Sequence, residues 1–341
     1  GRAAAVMVRR KTGLDVLSAA RTRISETFDD FEKICVSFSG GKDSTVLLHL
    51  VMQEAERRDR EVAVLFIDLE AQYKMTIDHV STCYEMYAGR IKPFWVSLPL
   101  HLRNAVSVYE PFWLCWDAEA RPAWVRQPHE LSIVDESYFP FFSRGMEFEE
   151  FVPEFAEWFS EGRPSAFFIG IRTTESFNRY LAIASQYKNT HLGRRYTTVV
   201  CDDKKSVNAY PIYDWSTEDV WKYHGKNPDL PYNHLYDVMH QAGLSPSQQR
   251  ICQPYGDDQR QGLWLFHLIE PLTWAKVVAR VNGANGGSLY SQEHGNINGY
   301  RKVSKPDSIP WKQFAYRLVM SMPEKTRDHY ATKIGIHIRW W

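Results

Sequence analysis

Two hydrophobic rhythms alternate along the first hundred residues. Leu14, Leu17, Ile24, Phe28 and Phe31 recur at helical spacing, which predicts an amphipathic helix over about 13–31. Ile34-Cys35-Val36-Ser37-Phe38 is then a short, mostly apolar run of the kind that forms a strand buried on both faces. Ser39 to Ser44 breaks that run, and Thr45 to Ala55 returns to a helical pattern. Val62 to Asp68 reads as a second buried strand, Thr76 to Ala88 as a further helix, and Phe94 to Leu98 as a third strand closed by Pro99. Further on, Ala166 to Ile171 predicts a fourth strand ending at Arg172, and Thr197 to Cys201 is a weaker candidate. Ser216 and Asp219 have capping-box spacing ahead of Val220, Trp221 and Tyr223, so a helix is expected there. Strands alternating with helices predict an α/β fold: a doubly wound, mainly parallel sheet with helices on both faces. In such sheets ligands bind at the carboxyl ends of the strands.

Residues 101–160 are rich in Pro, Trp and Phe without regular periodicity, and are expected to be an insertion covering the site. A nucleotide-binding domain over about 1–240 and a mainly helical extension over 241–341 are the expected division, in keeping with a length of 341 residues. Hydrophobic residues make up 44% and charged residues 24%, enough to build a large core. The chain has 41 Lys+Arg and 41 Asp+Glu, which excludes a globally basic nucleic-acid coat. The charge is nevertheless polarised: 109–161 holds 12 acidic residues against Arg121, Arg126 and Arg144, whereas 300–341 holds nine basic against three acidic. In 300–341 the basic residues are interleaved with Trp311, Tyr316, Tyr330, Trp340 and Trp341, a pattern that suits either nucleic-acid binding or a solvated helix face. The five cysteines, Cys35, Cys83, Cys115, Cys201 and Cys252, are far apart, which argues against disulfides, zinc and an iron–sulfur cluster. A reducing cytoplasm is the expected setting, and no apolar run is long enough to predict a membrane span.

The strongest chemical signal is Ser39-Gly40-Gly41-Lys42-Asp43-Ser44, between a predicted strand and a predicted helix. Two glycines let the backbone turn sharply and approach a ligand. A helix start offers unpaired N–H groups and the positive end of the dipole, which suits an anion. Ser39 and Ser44 add hydroxyls and Lys42 a cation. Asp43 repels phosphate unless a cation lies between them, so it suggests Mg²⁺. The glycine spacing differs from that of the GxxxxGK[ST] loop.

This loop resembles the PP-loop of the adenine nucleotide α-hydrolase superfamily, whose members include ATP pyrophosphatases and phosphoadenosine phosphosulfate (PAPS) reductases. Phe66-Ile67-Asp68 ahead of Thr76-Ile77-Asp78 resembles the sulfonucleotide branch. So do Gly170-Ile171-Arg172 with Glu175-Ser176 and Arg179, and Pro211-Ile212, Asp214-Trp215 and Asp219-Val220-Trp221. Leu230-Pro231-Tyr232-Asn233 and Leu235-Tyr236-Asp237 continue the likeness, which spans about 34–237. Arg250 to Arg260 and Lys333 to Trp341 are similar to PAPS-reductase-family proteins related to immunoglobulin-binding regulator A.

The resemblance implies a PP-loop fold and an adenine nucleotide held by Ser37, Ser39, Gly40, Gly41, Lys42, Asp43, Ser44, Asp68, Gly170 and Arg172. ATP with Mg²⁺ at Asp43 is the implied ligand, and a ParB/sulfiredoxin-like protein the implied partner. Lys42, Asp43, Arg172 and Arg179 are the expected catalytic set, for cleavage of ATP between the α- and β-phosphates or adenylation of an acceptor. Arg172 and Arg179 also fit a salt bridge with Glu175 or with the acidic insertion, and Asp68 fits a cap. His234 and His240 are candidate bases that also fit structural roles. The reductase members attack sulfur with a C-terminal cysteine motif. Here no cysteine follows Cys252, so ATP chemistry is favoured over reduction. A nucleotide-sensing regulator and a nucleic-acid thiolation component are the alternatives.

Overall fold

A computed structural model of the chain describes residues 13–341 except 108–109, 176, 186–187, 201–205, 246–248, 250, 252–262, 286–305, 307, 322–326, 329, 332–333 and 335–341. Cys201, Cys252 and most of the two C-terminal motifs therefore lie outside the described residues. Two compact units divide the chain, one ending at Gln292 and the other starting at Glu293. In the second unit the principal described element is a helix, Trp311–Met320, whose Trp311 and Tyr316 are exposed.

The first unit is built on a seven-stranded sheet. Its strands are β1 (Lys33–Ser37), β2 (Val62–Ile67), β3 (Ile91–Val96), β6 (Ser132–Ile133), β7 (Ser165–Ile169), β8 (Thr197–Val199) and β9 (Ser206–Ala209), in the order β6-β3-β2-β1-β7-β9-β8. All neighbours are parallel except the β8–β9 pair. A small hairpin, β4 (His101–Arg103) with β5 (Phe112–Leu114), stands apart from it. The doubly wound, mainly parallel sheet expected from the sequence is thus present.

Helices α1 (Val16–Asp30), α2 (Lys42–Arg57) and α3 (Lys74–Met86) pack against one face together with Val36, Val64, Phe66 and Phe168. Asp15 caps α1 by accepting from the N–H groups of Leu17 and Ser18, both at 3.0 Å. Cys35, Leu65, Phe94 and Phe167 alternate to the other face. There they meet the insertion, α4 (Phe148–Ser160), α7 (Leu235–Gln241), α8 (Leu263–Ile269) and α9 (Pro271–Arg280). Also described are α5 (Phe177–Ala184) and α6 (Thr217–Lys226). The Ser216–Asp219 capping box opens α6 as the spacing predicts: Asp219 N–H donates to Ser216 Oγ at 3.1 Å and Ser216 N–H to Asp219 at 2.8 Å.

Two elements depart from the expected pattern. The region 101–160 ends in a regular helix, α4, whose Phe151, Phe155 and Phe159 are four apart and buried. Acidic residues and Pro153 between those rings hide the period. In addition β9, only partly apolar, extends the sheet beyond β7.

The direction of winding matters for the site. From β1 the chain proceeds to β2 and β3 on one side, then returns to add β7 on the other side of β1. The switch point therefore lies between β1 and β7, where crossovers on opposite faces leave a crevice at the strand ends. Ser37 pairs with Leu65 of β2 and Ile169 of β7, so the loops after these strands emerge together.

Candidate nucleotide site

The loop at the switch point is shaped by two close approaches. Gly40 has φ +72°, and a Cβ there would lie 2.8 Å from Val80 Cγ2. At Gly170, just past β7, a Cβ would lie 3.0 Å from Ser44 Cα and 3.1 Å from Ser44 N. Gly40 thus lets the loop lie against α3, and Gly170 lets the end of β7 press directly onto the first turn of α2. Ser44 closes the loop from within: its Oγ accepts from Gly41 N at 3.2 Å and Ser39 N at 3.3 Å, and lies 3.0 Å from Ser39 Oγ.

That approach assembles three charges. Lys42 Nζ is 2.9 Å from Asp43 Oδ2, and Arg172 Nε donates to Asp43 Oδ1. Lys42, Asp43 and Arg172 are 5%, 7% and 2% exposed. Two cations on one carboxylate leave a net positive charge, nearly desolvated, at the positive end of α2. Arg172 Nη1 also donates to Thr174 Oγ1 at 2.9 Å, and its backbone N–H to Glu175 Oε2 at 3.2 Å. Arg179 pairs with that same Glu175, so it joins the group through Glu175.

Asp68 lies elsewhere. Its carboxylate is fully buried and accepts from Trp95 Nε1 at 2.9 Å, Glu70 N at 3.0 Å and Arg126 of the insertion. The neighbouring Glu70, with φ +61°, is also fully buried. It accepts from Trp116 N at 2.7 Å, Val125 N at 3.2 Å and Arg280 Nε at 2.9 Å. Burial raises the Glu70 pKa despite the Arg280 guanidinium. The insertion and α9 thus close over the turn after β2. Nearby, Glu270 caps α3 by accepting from Lys74 N at 2.8 Å and Met75 N at 3.0 Å.

The sequence reading missed a clasp from the 224–236 segment. Asn233 Nδ2 donates to Gly40 O at 3.2 Å, His224 Nε2 to Lys42 O at 3.2 Å, and Lys42 N–H to the Tyr236 hydroxyl at 3.3 Å. Lys42 Nζ also lies 5.1 Å from the Tyr236 ring centroid. Burial lowers the His224 pKa, its Nδ1 has no hydrogen-bond partner, and its Nε2 carries the proton given to Lys42 O. The signal was present as the Asn233 and Leu235-Tyr236-Asp237 spacing, although nothing local shows that it reaches back to residue 42. Below the loop, Thr45 Oγ1 donates to Gly41 O at 2.9 Å and therefore accepts from His79 Nε2 at 2.8 Å. His234 and His240 are exposed, and His234 Nδ1 is 3.0 Å from Asp237.

A resident Mg²⁺ does not fit these residues. Both oxygens of Asp43 are taken by cations, so the repulsion that suggested a metal is already neutralised, and no group of three His, Cys, Asp or Glu among the described residues could hold one. The described thiols are no better placed for chemistry. Cys35, Cys83 and Cys115 are buried, and burial raises all three, Cys83 to about 12.

A glycine loop at the β1/β7 switch point of such a sheet is the mark of the PP-loop nucleotide-binding superfamily. The chain belongs to the PAPS reductase family of that superfamily: the PAPS reductase domain matches residues 33–109 and 150–242, and a domain of unknown function, DUF3440, matches 243–341. It is 45% identical over 329 residues to the uncharacterized protein YbdN of Escherichia coli (strain K12), covering 96% of this chain and 80% of that one. An adenosine 5′-phosphosulfate reductase of Oceanobacillus iheyensis is 23% identical, over 68% of this chain and 77% of the relative. Among solved structures, the FMN adenylyltransferase of Candida glabrata in complex with FAD and inorganic pyrophosphate is similar at 14% identity and a TM-score of 0.40. That match covers 67% of this chain and 63% of the other. No described helix is long and apolar enough to cross a membrane.

Proposed function

We propose that the protein binds ATP, as its Mg²⁺ complex, at the switch point and cleaves it between the α- and β-phosphates, with water or an unidentified acceptor as the nucleophile. The observation that carries this reading is the buried Lys42–Asp43–Arg172 triad at the start of α2. Its excess positive charge is costly without an anion and becomes favourable when phosphate arrives. Lys42 and Arg172 are held in place before the ligand binds, so they can stabilise charge developing on departing pyrophosphate without reorganising. With water, the water oxygen bonds to the α-phosphorus, the bond from that phosphorus to the bridging oxygen breaks, AMP and pyrophosphate leave, and the protons of the water pass to the products and solvent. Ser39, the exposed residue of the loop, is the proposed entry-side contact. Arg179, through Glu175, is proposed to hold the Arg172 turn.

Incubation of the pure protein with α-labelled ATP and Mg²⁺, with and without a ParB/sulfiredoxin-like partner, tests this. AMP with pyrophosphate, or an adenylated acceptor, is expected, whereas ADP would refute it. Tight binding without turnover would leave nucleotide sensing as the function. Cys35, Cys83 and Cys115 are buried, which leaves them unsuited to the thiolate attack that sulfonucleotide reduction needs and supports ATP chemistry. Thioredoxin-dependent release of sulfite, lost in Cys252→Ser, would reverse that preference.

A further inference from the structure

We propose that Tyr236 is a latch that occupies the phosphate loop at rest and is displaced by the nucleotide; the proposal rests on the nucleotide reading above. The Lys42 N–H lies in the first turn of α2, one of the donors left without an intrahelical acceptor, and the Tyr236 hydroxyl takes it at 3.3 Å. The same hydroxyl lies 3.3 Å from where a Cβ on Gly41 would sit, so it covers the open side of that glycine. The ring lies against the Lys42 ammonium. One side chain thus engages both the amide and the cation that an incoming phosphate needs.

The other two arms of the clasp do not compete with an anion. Asn233 and His224 both donate to carbonyls, of Gly40 and Lys42, and phosphate has no use for these acceptors. Asn233 is also tied to Thr76 Oγ1 at 3.0 Å. They keep the loop in shape while Tyr236 alone gives way. Tyr236 packs edge-on to Trp221, with ring centroids 5.6 Å apart and planes at 82°, so its displacement is felt on α6. Trp221 in turn packs against Tyr232, whose hydroxyl donates to Asp237 at 2.8 Å, near the surface. Occupancy of the loop is thereby coupled to the 221–237 surface, which a partner could read.

Tyr236→Phe isolates the hydroxyl, because the ring over Lys42 and beside Trp221 is kept. Two measurements on the full chain are needed: amide hydrogen exchange of the 39–45 peptide without ligand, and ATP titration followed by Trp221 fluorescence with Trp221→Phe as the blank. The expected result is faster exchange in the variant and ATP binding about 2- to 10-fold tighter, the range for loss of one competing hydrogen bond. Unchanged exchange would overturn the latch, since the hydroxyl would not be holding the loop. Faster exchange with unchanged or weaker ATP binding would overturn it too, in the weaker case by making Tyr236 a ligand contact. If neither protein binds ATP while exchange still rises, the nucleotide reading fails and the latch fails with it.

Discussion

Replacing Gly170 with alanine tests whether the contact between β7 and α2 assembles the charged triad. The added Cβ would stand 3.0 Å from Ser44 Cα, 3.1 Å from Ser44 N and 3.3 Å from Asp43 C. All three are backbone atoms of the α2 start, so no side chain can swing aside. Ordinary contact begins at 3.4 Å, so the two elements must separate by about 0.4 Å. Overpacking of this kind costs about 1–3 kcal/mol. The same separation draws Arg172 away from Asp43, and sub-ångström misplacement of this proposed phosphate contact should weaken ATP binding by about tenfold. Urea denaturation should show a lower midpoint at an unchanged slope, and titration calorimetry the weaker Kd. Gly225→Ala is the control: it lies in α6, where a Cβ meets nothing within 4 Å, and should be stabilising by up to about 1 kcal/mol. If Gly170→Ala matched the control in stability and the wild type in ATP affinity, the close approach would not be what sets the triad.

Lys42→Ala should weaken ATP binding by about 1.5–3 kcal/mol, the worth of one charge-assisted contact, and an unchanged calorimetric Kd would reject its role. Glu70→Gln and Arg280→Met should each lower stability by about 3–5 kcal/mol, because each strands the other partner of a buried pair. Their combination should cost clearly less than the sum, so strictly additive losses in a double-mutant cycle would count against the pairing. His79 is held neutral, its pKa lowered from 6.5 to about 4 by burial and by repulsion from His224 and His234. Between these values the unfolded chain binds a proton that the folded state refuses, so stability should fall as pH drops from about 6.5 to 4. His79→Gln should flatten urea midpoints across that window, and an unaltered pH slope would show that His79 is not responsible.

Hydrophobic periodicity placed β1, β2, α3 and the core of β7 nearly to their ends, because a strand buried on both faces and a one-sided helix leave unmistakable local patterns, whereas α2 begins at Lys42, ahead of its apolar rhythm from Thr45. The glycine loop was legible for a related reason. Backbone that must turn with positive φ, or lie against another backbone, admits few residue types, and at Gly40 and Gly170 the restriction is visible in the residue itself. Charge and apolar rhythm failed in α4, where Glu and Pro interrupt a row of buried phenylalanines, and in β9, a short strand in which the polar Ser206 and Asn208 alternate with Val207 and Ala209.

What only the tertiary structure decided is which charges meet. Asp43 and Asp68 both come after apolar strands and both were expected at the nucleotide, yet one faces Lys42 and Arg172 across the switch point while the other is sealed beneath Trp95 and Arg126. The partner of a carboxylate is set by strand order and crossover direction, which join residues 43 and 172, or 70 and 280, across long stretches of chain. Tyr236 is the same case: its spacing from Asn233 is local, but its reach to the Lys42 amide exists only once α7 has packed beneath the sheet. Residue types and local spacing are determined by the chain alone, because they report burial and backbone conformation one segment at a time. Pairings between distant polar groups carry no such period, and only the packing of the sheet and its helices assigns them.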